Sequence, residues 1–152
     1  MRVVIIEDET AAAQNLAAIL RKVCPDVEIV ETIDTVVDSV EFFGSAPQLD
    51  LVFMDIHLAD GASFRIFDNV KVETPIIFTT AYDQYAIEAF KVNSIDYLLK
   101  PINEEGVKRA INKWQHLTST ERSEYTSRIS QVAEKQRVEQ QSFLVHFRDK
   151  II

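Results

Sequence analysis

Five short apolar runs recur at regular intervals along the first part of the chain. They occupy residues 3–6 (VVII), 27–30 (VEIV), 51–54 (LVFM), 76–79 (IIFT) and 95–99 (IDYLL). Their starts lie 24, 24, 25 and 19 residues apart. Continuous apolar runs are typical of strands buried on both faces of a parallel sheet, and this spacing leaves room for a crossover helix each time.

The segments between these runs have helical periodicity. Apolar residues recur at i, i+3, i+4 and i+7 in two of them: Leu16, Ile19, Leu20 and Val23, and Val107, Ala110, Ile111 and Trp114. Asn103 is a plausible N-cap, because Glu104 and Glu105 follow it and acids are favoured in the first turn. Five βα units over about residues 1–117 predict a flavodoxin-like α/β fold, a (βα)5 doubly wound sandwich around a parallel five-stranded sheet in order 2-1-3-4-5.

Charge is distributed unevenly. The 152 residues carry a net charge of −8, with −9 in residues 1–118 and +1 in residues 119–152. Nucleic-acid binding depends on Lys and Arg contacts to phosphates, so the first part of the chain is a poor candidate for touching DNA.

The apolar runs are far shorter than a membrane helix needs, which predicts no membrane segment. Because the N-terminus turns acidic within seven residues and Cys24 is the single cysteine, we expect a cytoplasmic location.

The last 34 residues differ from the rest. Residues 119–142 contain no Gly or Pro and only a thin apolar stripe, which indicates a linker, helical or frayed. Residues 143–152, FLVHFRDKII, alternate weakly in polarity around a turn-like RDK, as in a hairpin that is cut off. An isolated hairpin is marginally stable in water. We therefore expect one domain over residues 1–118, a linker over 119–142 and the truncated start of a second domain over 143–152.

Polar side chains follow the predicted strands where ligands bind in open α/β sheets, at the carboxyl ends. They are Glu7 and Asp8 after the first strand, Asp55 after the third, Thr79 and Thr80 at the fourth, and Lys100 after the fifth. Neighbouring carboxylates repel unless a cation lies between them, and Mg²⁺ prefers such oxygen ligands. An Asp carboxylate can act as a nucleophile toward phosphorus, which makes Asp55 the central candidate.

These residues lie in motifs that resemble the receiver domain of bacterial response regulators. The motifs are Glu7-Asp8, FMDIHLADG around Asp55, FTTAY around Thr80 and YLLKPI around Lys100. AYDQYAIEAF and NSIDYLLKPI are similar to receivers of the LytTR (LytR/AlgR-like) transcription factors, and FLVHFRDKII resembles the opening strands of their DNA-binding domain. The similarity covers every predicted element except the linker.

The resemblance implies a role for each matching residue. Asp55 would be phosphorylated by a sensor histidine kinase, and Lys100 would bind the phosphoryl group. Asp8, Asp55, the backbone carbonyl of His57 and Glu7 would hold Mg²⁺, although the family more often has Asp at the position of Glu7. Thr80 and Tyr97 match the switch pair of the family. The Lys100–Pro101 bond would be cis, which few X-Pro bonds are.

The same resemblance implies a signalling switch rather than an enzyme. Phosphorylation would promote a homodimer through the face of helix four, strand five and helix five, and DNA would be bound only through the C-terminal domain. The charged residues of that face are Glu88, Lys91, Asp96, Lys108, Arg109 and Lys113. Such mixed charges can pair across a two-fold axis.

Two alternative functions use related chemistry. A haloacid-dehalogenase-like phosphohydrolase also uses a strand-end Asp, magnesium and a lysine, but it has its nucleophile after the first strand and a second Asp two residues later. Here Asp55 follows the third strand, and position 57 is His. A flavodoxin-like cofactor binder is the other alternative, on fold alone. The chain has only three glycines and no Gly-rich phosphate loop. We discount both alternatives.

Overall fold

The computed structural model describes residues 1–81 and 95–117, and a five-stranded parallel sheet lies at its centre. The strands of this sheet are β1 (Arg2–Ile6), β2 (Glu28–Ile33), β3 (Leu51–Asp55), β6 (Ile76–Thr80) and β7 (Asp96–Leu99). Two short antiparallel strands, β4 (His57–Leu58) and β5 (Gly61–Ala62), form a separate hairpin. The spatial order of the sheet is β2-β1-β3-β6-β7. These are the five predicted strands, and the predicted order 2-1-3-4-5 is confirmed.

The helices are α1 (Thr10–Val23), α2 (Val36–Gly44), α3 (Arg65–Asn69) and α4 (Glu104–Gln115). Helix α4 is the fifth predicted helix. The fourth predicted helix falls on residues 82–94, the linker on 119–142 and the truncated hairpin on 143–152, so all three predictions lie outside the described residues. None of the four helices has the length and the apolar composition needed to cross a lipid bilayer.

Helices cover both faces of the sheet, as the side-chain alternation along β1 shows. Val3 and Ile5 point to one core, which they share with α1 and α4. Val4 and Ile6 point to the other core, which they share with α2 and α3. All four side chains are fully buried or nearly so. This double burial explains why the sequence shows a continuous apolar run at this position instead of alternation.

Local hydrogen bonds fix the element ends that frame the site. The Asn103 side chain accepts a hydrogen bond from the Gly106 amide at 2.8 Å, so the predicted N-cap of the last helix is confirmed. Just before it, the Lys100–Pro101 peptide bond is cis, as the resemblance implies. The Asn15 side chain on α1 donates to the Ile102 carbonyl at 3.1 Å. The loop between β7 and α4 is therefore held against α1.

Candidate functional site

Four neighbouring strands deliver the predicted site residues to one edge of the sheet. Glu7 follows β1, Asp55 ends β3, Thr80 ends β6 and Lys100 follows β7. Because these strands are parallel and adjacent in the order β1-β3-β6-β7, their carboxyl ends lie side by side. The sheet topology therefore brings together residues that are up to 93 positions apart in sequence.

Lys100 connects the carboxylates of this edge. Its Nζ atom lies 2.5 Å from Glu7 Oε1, 2.9 Å from Asp55 Oδ2 and 3.2 Å from Glu9 Oε1. The Lys100 side chain is 11% exposed, and those of Glu7 and Asp55 are 4% and 7% exposed. Since buried charges are costly unless they are paired and hydrogen-bonded, this ammonium is what makes two enclosed carboxylates tolerable in the fold.

The pKa values reflect this arrangement. Burial raises the pKa of the Glu7 carboxyl to about 7, while hydrogen bonds from Lys100 and from the Glu9 amide oppose the rise and the charge of Asp55 adds to it. Burial alone would lower the pKa of the Lys100 ammonium, but its hydrogen bonds with Glu7 and Asp55 outweigh burial and raise that pKa. Lys100 is therefore charged at every physiological pH, and Glu7 is the member of this cluster whose charge changes near neutrality.

Backbone contacts hold these side chains in place. The Glu7 amide donates to the Ile33 carbonyl at 2.8 Å, and Glu7 Oε2 accepts from the Glu9 amide at 3.0 Å. Asp55 Oδ1 accepts a hydrogen bond from the His57 amide at 3.2 Å. In each of the two buried carboxylates, one oxygen thus accepts a hydrogen bond from a backbone amide and the other contacts the Lys100 ammonium.

A cluster of oxygen ligands suited to a metal ion lies at the same place. Glu7, Asp8, Glu9 and Asp55 each offer a carboxylate oxygen, and these atoms all lie within 4.8 Å of one another. Glu7 and Asp55 are buried, whereas Asp8 and Glu9 are solvent-accessible. Hard oxygen donors with an open side toward water suit Mg²⁺, which keeps several waters when it binds. The donor set therefore fits the metal that the sequence predicts.

The remaining predicted residues lie around this cluster. Thr80 is fully buried, and its carbonyl accepts a hydrogen bond from the Lys100 amide at 2.8 Å. Tyr97 is half-buried on β7, where its backbone pairs with Phe78 of β6. His57 is exposed and opens β4, two residues after Asp55. The roles of these three residues as switch pair and carbonyl ligand stay predictions.

Sequence reasoning missed the part that Glu9 plays. Acids that precede a helix commonly cap it, and Glu9 is indeed the N-cap residue of α1. Its side chain makes no capping hydrogen bond, however, and instead contacts Lys100. In the sequence, the signal for this contact is that a third acid, Glu9, follows Glu7 and Asp8. The direction of the Glu9 side chain is evident only from the position of Lys100 in the structure.

Comparison with known proteins gives a consistent result. A family model described as response regulator receiver domain matches residues 3–112. The sensory transduction protein LytT of Bacillus cereus is 39% identical over 119 residues, which cover 76% of this chain and 47% of that protein. The transcriptional regulatory protein LytR of Staphylococcus aureus is 34% identical over 116 residues, which cover 74% of this chain and 46% of that protein. The chain spans about half the length of these curated relatives.

Solved structures agree with the sequence comparison. The response regulatory domain of protein mrkE from Klebsiella pneumoniae superimposes with a TM-score of 0.64 at 29% sequence identity. The match covers 77% of this chain and 100% of the mrkE domain. The similarity thus includes the whole of that receiver domain, and it leaves a remainder of this chain outside the match.

Proposed function

This chain belongs to the response regulator receiver domain family, and from that premise we propose that Asp55 accepts a phosphoryl group from a sensor histidine kinase. The observation that carries the proposal is the 2.9 Å contact between Lys100 Nζ and Asp55 Oδ2 inside an acidic cluster. A strand-end carboxylate beside one buried ammonium is suited to take up a group that brings about −1.5 to −2 charge.

In the proposed transfer, one carboxylate oxygen of Asp55 forms a bond to phosphorus. The bond between phosphorus and the imidazole nitrogen of the kinase breaks, and its electron pair stays on that nitrogen. Because the phosphoimidazole carries a proton on its other ring nitrogen, the leaving imidazole is neutral. Catalysis of such a step is mostly positioning and charge neutralisation. Lys100 supplies a positive charge for a phosphoryl oxygen, since its ammonium already lies at hydrogen-bond distance from Asp55. The domain, which in this proposal catalyses transfer only to its own Asp55, is a signalling switch and not a conventional enzyme.

We assign Mg²⁺ to Glu7, Asp8, Asp55 and the backbone carbonyl of His57. When bound, the ion neutralises the charge that develops on the phosphoryl oxygens. The support is the grouping of the carboxylate oxygens of the first three residues within 4.8 Å. Glu7 reaches the cluster with an arm one methylene longer than that of Asp.

Thr80 and Tyr97 form the proposed switch. The Thr80 hydroxyl would move to the phosphoryl group, and the Tyr97 ring would turn inward, so that phosphorylation shifts the populations of two conformations. Two observations support this role. Thr80 ends β6, the strand next to β3, and its carbonyl accepts a hydrogen bond from the Lys100 amide. Tyr97 is half-buried on β7, the strand next to β6.

The proposed output is control of transcription. We propose that residues 1–118 form the receiver, residues 119–142 the linker and residues 143–152 the start of a LytTR-type DNA-binding domain that controls transcription in the cytoplasm. A homodimer through the predicted face of helix four, strand five and helix five would couple phosphorylation to DNA binding. Glu88 and Lys91 of that face lie outside the described residues. The names of the LytT and LytR relatives support the regulatory part of this proposal.

Intact mass after incubation with Mg²⁺ and acetyl phosphate tests the function directly. The wild-type chain should gain one phosphoryl group only when Mg²⁺ is present, and Asp55→Asn should gain none. Asp26→Asn is a matched control, because Asp26 is exposed and precedes β2, at the opposite edge of the sheet. Fast consumption of acetyl phosphate without an adduct would instead favour a phosphohydrolase. Absence of both adduct and turnover would indicate a receiver that has lost its chemistry.

Sedimentation tests the dimer separately. With beryllofluoride as a stable phosphate mimic, the wild-type chain should shift from monomer to dimer at micromolar concentrations, and Asp55→Asn should not shift. An unchanged sedimentation coefficient up to millimolar concentration would exclude this mode of activation and leave the phosphorylation chemistry intact.

A further inference from the structure

The hairpin directly after Asp55 has an unusual anchor at its tip. This hairpin, residues 57–62, consists of β4 and β5 with a turn at Ala59 and Asp60. Asp60 Oδ1 accepts a hydrogen bond from the Val36 amide at 2.7 Å, and Asp60 Oδ2 accepts one from the Val37 amide at 3.2 Å. Both amides belong to the first turn of α2, more than 20 residues earlier in the chain.

Helix α2 already has its own cap. Thr35 is the N-cap residue, and its hydroxyl accepts from the Asp38 amide at 3.0 Å. The Asp60 carboxylate adds a second, remote cap on two other amides that have no partner within the helix. These hydrogen bonds also lower the pKa of the Asp60 carboxyl, since they favour its charged form. Unlike the local Thr35 cap, the Asp60 cap joins a distant segment of the chain, the hairpin, to helix α2.

The turn beside Asp60 is built for this position. Gly61 has a φ of +137°, a conformation that L side chains rarely adopt. A Cβ atom at Gly61 would lie 2.9 Å from the guanidinium of Arg65, so the Arg65 side chain packs directly over the turn. Arg65 Nη1 also lies 3.4 Å from the Asp60 carbonyl. Gly61 and Arg65 therefore keep the turn in a shape that points the Asp60 carboxylate at α2.

The base of the hairpin is fixed by Ser63. The Ser63 side chain is fully buried, and its hydroxyl donates to the Ile56 carbonyl at 3.1 Å. The Ser63 amide donates to the same carbonyl at 2.9 Å. The chain from Asp55 to α3 is thus held at its base by Ser63 and at its tip by Asp60. The base is attached to the sheet, where the Ile56 amide donates to the Thr79 carbonyl at 3.1 Å, and the two Asp60 bonds attach the tip to α2.

We propose that Asp60 is a positioning residue that orients the hairpin and its His57 carbonyl toward the metal site through its bonds to helix α2. The inference rests on the proposed function, because the His57 carbonyl matters only if the site binds Mg²⁺. Residues that orient metal ligands through hydrogen bonds affect metal affinity without contacting the metal. Binding of Mg²⁺ and docking of α2 are then thermodynamically coupled, and each strengthens the other.

Three variants of the full chain test this inference. Asp60→Ala removes both acceptors, Asp60→Asn keeps one amide oxygen, and Thr35→Ala removes the local cap of α2 but leaves the hairpin attached. The Mg²⁺ dissociation constant is measured by calorimetry with MgCl₂. Hydrogen exchange at the Ser63 amide is measured by NMR without Mg²⁺, relative to the Phe53 amide in the sheet.

Asp60→Ala should raise the Mg²⁺ dissociation constant about tenfold, the low end of what loss of an orienting partner costs. It should also accelerate exchange at Ser63 about tenfold relative to Phe53, because the hairpin opens more often. Asp60→Asn should fall between Asp60→Ala and wild type, and Thr35→Ala should stay within about twofold of wild type in both measurements.

Equal effects of Asp60→Ala and Thr35→Ala on both measurements would overturn the inference, since Asp60 would then merely stabilise α2. Unchanged exchange at Ser63 in Asp60→Ala would overturn it as well. If the wild-type chain binds no Mg²⁺ while Asp60→Ala still accelerates exchange at Ser63, the metal part of the proposed function fails. In that case the anchoring of the hairpin by Asp60 is supported on its own.

Discussion

The Lys100 ammonium lies 2.5 Å from the Glu7 carboxylate, although the two residues are 93 positions apart in sequence. Both side chains are nearly enclosed, with exposed fractions of 11% and 4%. Asp55 shares the same ammonium. One positive charge thus serves two enclosed negative charges, which leaves the site with an excess of negative charge that a second cation can neutralise.

Lys100→Met should destabilise the fold, because it leaves Glu7 and Asp55 buried without their common counter-charge. Breaking a buried pair in this way costs about 3–5 kcal/mol of unfolding free energy, and protonation of Glu7 should reduce the loss below pH 6. Urea unfolding at pH 8 and at pH 5 measures the loss of unfolding free energy at each pH. Lys71→Met is the control, since Lys71 forms an exposed ion pair with Glu73 and should cost less than about 1 kcal/mol. Equal losses for the two variants at pH 8 would contradict the role assigned to Lys100.

Stability of the metal-free chain should fall as pH rises toward 7. Burial raises the pKa of Glu7 from 4.5 to about 7, so the folded chain holds a proton in this window that the unfolded chain has lost. Unfolding free energy therefore decreases with rising pH across the window and levels off above pH 7. The decrease should be about 1–3 kcal/mol, since one pKa unit corresponds to about 1.4 kcal/mol.

Glu7→Gln isolates this effect, because it removes the titrating group and keeps the shape of the side chain. Urea unfolding between pH 5 and pH 8 should show a flatter profile for Glu7→Gln than for wild type. A profile as steep as that of wild type would mean that another group carries the dependence.

The sheet could be predicted from sequence because it depends on local patterns. Each strand carries an apolar run, and Asn103 signals the start of α4 within its own turn. β2 is the informative difference: it runs over Glu28–Ile33, three residues beyond the predicted run. As an edge strand it is largely exposed, so its polar residues Glu31 and Thr32 do not prevent strand pairing.

Local sequence patterns could not predict which side chains of the site contact one another. The strand order brings three side chains, Glu7, Asp55 and Lys100, to one edge of the sheet. The sequence predicts this arrangement. The ion pair of Glu9 with Lys100 depends on how a long side chain turns in three dimensions. The bonds of Asp60 to α2 join segments more than 20 residues apart, and no periodicity or capping signal near Asp60 indicates them.

Magnesium should stabilise the folded chain. A ligand that binds only the folded state at 100 times its dissociation constant adds about 2.7 kcal/mol of unfolding free energy. Thermal unfolding with rising MgCl₂ should therefore shift to higher temperature, whereas NaCl at matched ionic strength should not reproduce the shift. Because Mg²⁺ requires the charged form of Glu7, the gain should be larger at pH 8 than at pH 6.

Asp8→Asn should reduce this gain, since it removes one of the grouped carboxylates without disturbing the buried contacts of Lys100. Asp26→Asn serves again as the control and should keep the full gain. The same shift in Asp8→Asn as in wild type would place the ion elsewhere.

An ion pair between an exposed arginine and a buried aspartate lies on the face predicted for the dimer. Arg109 Nε on α4 lies 3.0 Å from Asp96 Oδ2, and Arg109 Nη2 donates to the Tyr97 carbonyl at 3.1 Å. Asp96 is buried, with 8% of its surface exposed. Both charges were candidates for pairing across a two-fold axis, yet the structure pairs them within one chain. Arg109 therefore ties α4 to β7 in the single protomer.

Arg109→Ala should lower the unfolding free energy by about 1–3 kcal/mol, because the buried Asp96 carboxylate loses its charged partner. Arg109→Lys should recover only part of the loss, since an ammonium lacks the fork that reaches both Asp96 and Tyr97. Lys113→Ala, at an exposed position of the same helix, is the control and should change little. Urea unfolding at several protein concentrations measures these values. The loss should be independent of concentration for a bond within one chain, whereas a loss confined to concentrations at which the chain self-associates would assign the pair to the dimer.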